Sequence, residues 1–350
     1  MPRTRPASCM YVRNRAVIAA AATAIAATAS PAWAELKVTV TIKPVHALVA
    51  QVMEGVGTPS LLVQGAASPH TYALKPSDAK ALNKADVFFR VSESVEPFTR
   101  KIVAALPKSV HTVTLADAPG IELLDVRTGD TFEKHDHAHE HGHEDHDDDH
   151  DKHAKAGHDH HEKAGEAHDD HDDHEHETRD GHVWLDPQNA RKMITEIARV
   201  LSEASPADAD KFKANAERAS EALDTLQAEI ASELEPIKGK PYVVFHDAYQ
   251  YFERRFGLTA VGSITVNPEA QPSAKRLTEI RKKLTDLSAS CVFAEPQFQP
   301  KLVAAVTENT KAHTGTLDPE GALVEPGPGA YATLLKNLAS GLKSCLSQGS

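Results

Sequence analysis

ADADKFKANAERASEALDTLQAEIASEL, residues 207–234, contains neither glycine nor proline and is dense in alanine, leucine, glutamate and lysine. Those are the strongest helix formers, so from Pro206 to about Lys238 the chain reads as one long charged helix. On both sides of it the pattern changes to short apolar runs alternating with amphipathic ones. Before it come the strand-like ELKVTVTIKP, LLVQG, DVFFRV and HTVTLAD, interleaved with the helical HALVAQVM, KPSDAKALNKA and VEPFTRKIVAAL. After it come YVVFHDA, LTAVGSITV, CVFAEP and HTGTLD, interleaved with YQYFERRF, SAKRLTEIRKKLTDL, KLVAAVTENT and YATLLKNLASGLKSCL. Strand–helix alternation implies parallel sheets with right-handed crossovers. The fold class expected is therefore α/β: two Rossmann-like lobes with parallel sheets, joined by a long backbone helix. Residues 35–204 form the first lobe, 205–238 the linking helix and 239–350 the second lobe. In such sheets ligands sit beyond the carboxyl ends of strands, which here places a site in the cleft between lobes.

Helix boundaries carry two finer expectations. In DGHVWLDPQNARKMITEIARVLSEA, Asp186 is placed to cap a helix that has Pro187 at its first position. In KPSDAKALNKA, Ser77 is the expected cap, although Lys80 three residues later leaves the capping box incomplete.

Residues 1–34 read as an export signal. Arg3, Arg5, Arg13 and Arg15 precede the apolar AVIAAAATAIAATA, and Ala32-Trp33-Ala34 has the small-x-small form of a cleavage site. That apolar run is about 14 residues, short of the roughly 20 that span a bilayer. The expectation is a product cleaved after Ala34 and exported to the periplasm, without a membrane span. Cys9 would leave with the signal. The remaining pair, Cys291 and Cys345, reads as a disulfide in an oxidising compartment.

The net charge of −12 is misleading as a clue to partners. HDHAHEHGHEDHDDDHDKHAKAGHDHHEKAGEAHDDHDDHEHE, residues 135–177, holds 17 Asp and Glu against 3 Lys. The rest of the exported chain is close to neutral, which gives no electrostatic footprint for nucleic acid. This stretch also holds 15 of the 21 histidines: His135, His137, His139, His141, His143, His146, His150, His153, His158, His160, His161, His168, His171, His174 and His176. It has no apolar residue larger than alanine and no repeated spacing, so it cannot bury enough surface to order itself. A ligand-rich chain of that kind binds several ions weakly, and its expected role is accessory: gathering metal, raising its local concentration or sensing it.

The other six histidines are the ones the fold positions. His70, in GAASPHTYALKPSD, His182, in DGHVWLDP, and His246, ending VVFHDA, fall at strand ends or in the loops after them. The first two belong to the first lobe and the third to the second. Asp318, ending GTLD, is a fourth candidate from the same side. His46, His111 and His313 read as ordinary polar residues.

The segments ASPHTYALKPSD, DGHVWLDP, VVFHDAYQYF, TVNPEAQPSAKRL, CVFAEPQFQP and GTLDPEG, in this order, closely resemble the zinc-specific solute-binding proteins of bacterial ABC importers, the ZnuA type among the cluster A-I metal receptors. The resemblance covers essentially the whole exported chain, acidic insert included. It implies one Zn2+ held between the lobes, with motif histidines at His70, His182 and His246. It also implies as partners a membrane permease with its cytoplasmic ATPase, and a monomer that is no enzyme. Manganese-binding relatives carry a carboxylate at the position of His246, and imidazole there suits zinc. They also use the acid matching Asp318. Zinc members often have water in its place, so the fourth ligand is Asp318 or water. Some zinc members offer a Glu just before the first histidine, but here that residue is Pro69. Two other functions remain open on the residues alone. One is an exported zinc buffer or chaperone acting mainly through the insert. The other is a zinc hydrolase that would need Asp318 or Glu295 as its base, with no H-E-x-x-H present.

Overall fold

The structure is a computed structural model; it describes residues 35–128, 132, 179–265, 272–298 and 300–348. The expected signal at 1–34 and the insert at 135–177 lie outside the described residues.

Two four-stranded sheets carry the fold, each wholly parallel. The first uses β1 (Val38–Val40), β2 (Ser60–Leu61), β3 (Val87–Arg90) and β4 (His111–Thr114) in the order β2-β1-β3-β4. The register places Thr39 beside both Ser60 and Phe88. The second uses β7 (Tyr242–His246), β8 (Ala260–Thr265), β9 (Cys291–Ala294) and β10 (His313–Thr316) in the order β10-β9-β7-β8. Read from the other edge, the two orders are the same. In each, the first strand of the sheet pairs with the second on one side and the third on the other. The chain therefore reverses its direction of travel between β1 and β3 and again between β7 and β9. Those reversal points open crevices at the strand ends, where α/β proteins bind ligands. Between the sheets, β5 (Leu124–Asp125) and β6 (Arg179–Asp180) form a short antiparallel pair.

The helices are α1 (Lys43–Val52), α2 (Pro76–Leu82), α3 (Thr99–Ala105), α4 (Pro187–Ala204), α5 (Ala209–Leu234), α6 (Gln250–Phe256), α7 (Ala274–Asp286), α8 (Lys301–Thr307) and α9 (Ala330–Leu346). The expected long helix is α5, with a single 3-10 turn at either end, Pro206–Asp208 and Glu235–Ile237. Its buried residues Phe212, Ala216, Ala219, Leu223, Leu226, Ile230 and Leu234 recur every three or four positions, which makes one apolar stripe. The stripe faces α1, α4 and α9, so the helix is held by packing on three neighbours. Asp186 caps α4 as expected, its carboxylate accepting the Gln188 N–H at 2.8 Å, with Pro187 first in the helix.

Ser77 does not cap α2. The cap position is Lys75, because Pro76 takes the first helical place and sets the extended-to-helical change one residue earlier. Asp78 then completes the turn by accepting the Lys75 N–H at 2.9 Å.

One continuous apolar core joins Val40 and Phe89 of the first sheet, Leu223 of α5, Tyr242 and Phe293 of the second sheet, and Leu335 of α9. The outer faces of the sheets bury two smaller clusters, one around Phe88 and Leu82, the other around Phe245, Ile264 and Val292. The described residues within 36–350 thus form a single compact unit. Polar bridges reinforce the contact between the two sheets' sides. The Trp184 indole donates to the Pro319 carbonyl at 2.9 Å, and the Tyr331 hydroxyl donates to the Trp184 carbonyl at 2.6 Å. The buried Lys43 ammonium donates to the carbonyls of Gly321, Ala322 and Val324 at 2.6, 3.0 and 3.0 Å. The expected disulfide is formed: Cys291 at the start of β9 is bonded to Cys345 on α9.

Candidate metal centre

Each of the three histidines is delivered by a different local structure. His246 is the last residue of β7, beside the second sheet's reversal point, where a strand end points its side chain into the crevice. His182 follows β6 by two residues and opens the 3-10 turn Val183–Leu185. His70 lies in the long loop between β2 and α2. Their rings meet, with centroids 5.4 Å apart for His70–His182, 5.7 Å for His70–His246 and 5.2 Å for His182–His246. One nitrogen from each lies within 4.8 Å of the others, and no other group of three or more metal-binding side chains is so arranged among the described residues.

The far edges of the rings explain the near ones. His182 Nδ1 lies 2.7 Å from Asp180 Oδ1, an oxygen that also accepts the His182 backbone N–H at 3.0 Å. His246 Nδ1 lies 2.7 and 2.8 Å from the two oxygens of Glu295. An ionised carboxylate only accepts, so both Nδ1 atoms carry the hydrogen and both Nε2 atoms present lone pairs. Those two Nε2 atoms face each other at 3.4 Å. His70 makes a backbone hydrogen bond with Ser94, and its Nε2 is buried without any partner. Three imidazole nitrogens are thus directed at one another, and in the neutral rings each presents a lone pair there, an arrangement that a cation completes.

Charge follows the same pattern. Burial, then the neighbouring His182 and His246, hold His70 well below the usual imidazole range. Burial opposes the charged form of His246 as well, but Glu295, with Asp247 and Asp180 beyond it, outweighs that and raises its pKa.

The remaining expected residues are placed as follows. Asp318 stands outside the group of three: one oxygen accepts from Gln297 Nε2 at 3.2 Å and the other from the Leu323 N–H at 3.0 Å. His46 is buried with Nε2 3.0 Å from the Pro59 carbonyl, while His111 and His313 are exposed at the first positions of β4 and β10. The sequence reading gave Asp180 no role and Glu295 only that of a hydrolase base. The D-x-H spacing at 180–182 and an acid just beyond β9, the strand beside β7, are the signals that mark them.

The family model described as zinc-uptake complex component A, periplasmic, matches residues 38–345. The chain belongs to the ZnuA family. Among its relatives, the high-affinity zinc uptake system protein ZnuA of Brucella suis biovar 1 (strain 1330) is 51% identical over 311 residues, covering 89% of this chain and 92% of the relative. The protein of the same description from Paracoccus denitrificans (strain Pd 1222) is 40% identical, covering 93% of this chain and 96% of the relative. A solved crystal structure of ZnuA superposes with a TM-score of 0.67 over 89% of this chain and 99% of its own, at 24% identity. At that identity the structural likeness speaks for the ZnuA fold alone, with its two lobes.

Proposed function

We propose that this ZnuA-family protein is an exported receptor that captures one Zn2+ between His70, His182 and His246 and delivers it to an ABC permease with its ATPase. The observation that carries the reading is the meeting of three imidazole nitrogens whose outer edges are already committed, two of them to carboxylates. An all-nitrogen set favours zinc over manganese, and the carboxylates behind it orient the rings and make their Nε2 atoms better donors to a cation. The relatives' description as zinc uptake proteins supports the same cargo. Water, or Asp318 after release from Gln297 and Leu323, completes the fourth position. Among the described residues no helix is long and apolar enough to cross a membrane. Glu295, one of the two acids a hydrolase could use as its base, instead has both oxygens on His246, and the other, Asp318, accepts from Gln297 and Leu323. The insert at 135–177 serves as an accessory collector.

Zinc binding requires neutral imidazoles, so affinity should decline as pH falls through the histidine range. His246, whose pKa is raised, takes up its proton at a higher pH than His70, whose pKa is lowered. Zinc calorimetry on the protein, on a variant lacking 135–177 and on His70→Ala tests the assignment. Deletion should remove weak sites only, and His70→Ala should abolish a single tight one. Loss of the tight site on deletion would instead make the insert the main binder and the protein a buffer.

A further inference from the structure

Three consecutive residues, Tyr249, Gln250 and Tyr251, reach both carboxylate residues that stand behind His182 and His246. They follow His246 in the chain, at the start of α6, and so belong to the second sheet's side. The Tyr249 hydroxyl donates to Glu295 Oε1 at 3.0 Å, the carboxylate that holds His246. Gln250 Nε2 donates to the Asp125 carbonyl at 2.9 Å and to Asp180 Oδ2 at 3.3 Å, the other oxygen of the carboxylate that holds His182. The Tyr251 hydroxyl donates to the Asp180 carbonyl at 2.6 Å and accepts the Leu124 N–H at 2.9 Å. Both tyrosines are buried.

The geometry points to this triplet as a positioning bridge. It fixes the distance between the two imidazoles by gripping, from one helical turn, both carboxylates that orient them. The physical case rests on what otherwise holds His182. Its carboxylate partner Asp180 sits on a pair of two-residue strands, β5 and β6, too short to be stable alone. Tyr251 joins both strands of that pair through one hydroxyl, and Gln250 ties the carbonyl of one to the carboxylate of the other. The pair is therefore held in place by the second sheet's side, although it belongs to the chain before α5. Glu295, just beyond β9 of the second sheet, receives its extra hydrogen bond from the same turn. A displacement of α6 moves Asp180 and Glu295 together, which keeps the His182 and His246 Nε2 atoms facing as a pair. Outer partners of metal-binding histidines commonly change affinity by 10- to 100-fold, and the bridge acts one bond further out.

This inference rests on the three-histidine zinc reading, and the test separates the two. The protein carrying Tyr251→Phe, Gln250→Ala or Tyr249→Phe, and separately His246→Ala, is titrated with zinc against a competing chelator. The Nδ1–H protons of His182 and His246 are followed in the metal-free protein by 15N-edited NMR, and thermal unfolding is recorded alongside. Each bridge variant should bind zinc on the order of tenfold more weakly with unchanged stoichiometry. Tyr251→Phe and Gln250→Ala should speed solvent exchange of the His182 Nδ1–H and leave that of His246 slow. Tyr249→Phe should do the reverse. A general loss of stability would speed both protons together, and that result, or unchanged affinity in all three variants, overturns the bridge. An intact tight site in His246→Ala would overturn the zinc reading itself.

Discussion

Between Asp180 and His182, glycine is the residue the site can least replace. A Cβ at Gly181 would meet Ser94 Oγ at 2.5 Å, Ser92 Oγ at 2.6 Å and Val95 Cγ2 at 2.6 Å. Its neighbours cannot easily retreat, because Ser92 Oγ is hydrogen-bonded to Ser94 Oγ at 2.9 Å and Ser94 also backs His70. Gly181→Ala should therefore push His182 away from the other two histidines. Overpacking of this kind costs about 1–3 kcal/mol of stability, and zinc affinity should fall by more than a general loss of stability would cause. Zinc competition at a temperature well below the unfolding midpoint checks this, and wild-type affinity in the variant would refute it. At this scale strand–helix alternation put His70, His182 and His246 among the strand-end candidates, and the resemblance to zinc receptors, not their spacing, singled them out. Asp180 and Glu295 were not, since their role depends on which ring edge faces inward. Sequence spacing carries no information on that.

Elements were legible where a period or a cap is long enough to read. α5 and α4 emerged with their apolar stripe and their Asp186 cap, and the strands emerged in their order, although β1 and β2 are shorter than the apolar runs suggested. The β5–β6 pair escaped notice because two-residue strands have no period, and their partners are separated by the acidic insert. One polar residue on α5 shows how the long helix holds its neighbour. Asn215 is buried, and its Nδ2 donates to the carbonyls of Val52 and Glu54 at 2.8 and 3.0 Å. It thereby satisfies orphan groups at the end of α1. Asn215→Leu leaves those carbonyls without a donor, and should lower stability by about 1–3 kcal/mol in chemical denaturation while zinc stoichiometry stays at one tight site. The Cys291–Cys345 bond acts on a different element, tying α9 to β9 across a sequence separation of 54. Loop-entropy arithmetic gives about 4 kcal/mol for it, so the Cys291→Ser, Cys345→Ser double variant should unfold at markedly lower denaturant. An unchanged midpoint would mean that packing alone holds α9.

At the scale of the whole molecule, buried charge between the two sides sets how stability responds to pH. Arg127, beside β5, pairs with Asp247 next to His246 and with Glu253 on α6, the latter at 2.7 Å. It stays charged throughout, since Glu253 and Asp247 together outweigh its burial. Glu96 behaves differently. Its carboxyl is wholly buried beside the first sheet's reversal point, bonded to the Thr41 hydroxyl and to the backbone N–H groups of Val91 and Ser92 at 2.8 and 3.1 Å. Burial exceeds the help from those bonds and from Arg90, and raises its pKa to about 7. The buried Glu320, whose own pKa burial and the nearby Glu96 push well above the usual range, faces it across the interface. Between the ordinary carboxyl pKa of 4.5 and about 7, the unfolded chain has released a proton that the native protein retains. The native state then binds more protons, so stability falls as pH rises, fully present below 4.5 and lost by the time pH passes 7. A shift of that size corresponds to about 3 kcal/mol. Glu96→Gln keeps an acceptor for the two N–H groups and removes the proton. Urea denaturation of the metal-free protein at pH 5 and pH 8 should show the variant gaining on the wild type by up to about 3 kcal/mol at the higher pH. Titrating groups that Glu96 does not influence cancel in the difference, and Glu320, relieved of a facing charge in the variant, shifts it in the same direction. Parallel pH profiles would show that Glu96 ionises as freely in the folded protein as in the unfolded one. The opposing slope of zinc binding, which strengthens as the histidines lose their protons, then makes the zinc-loaded and metal-free proteins diverge in stability as pH rises.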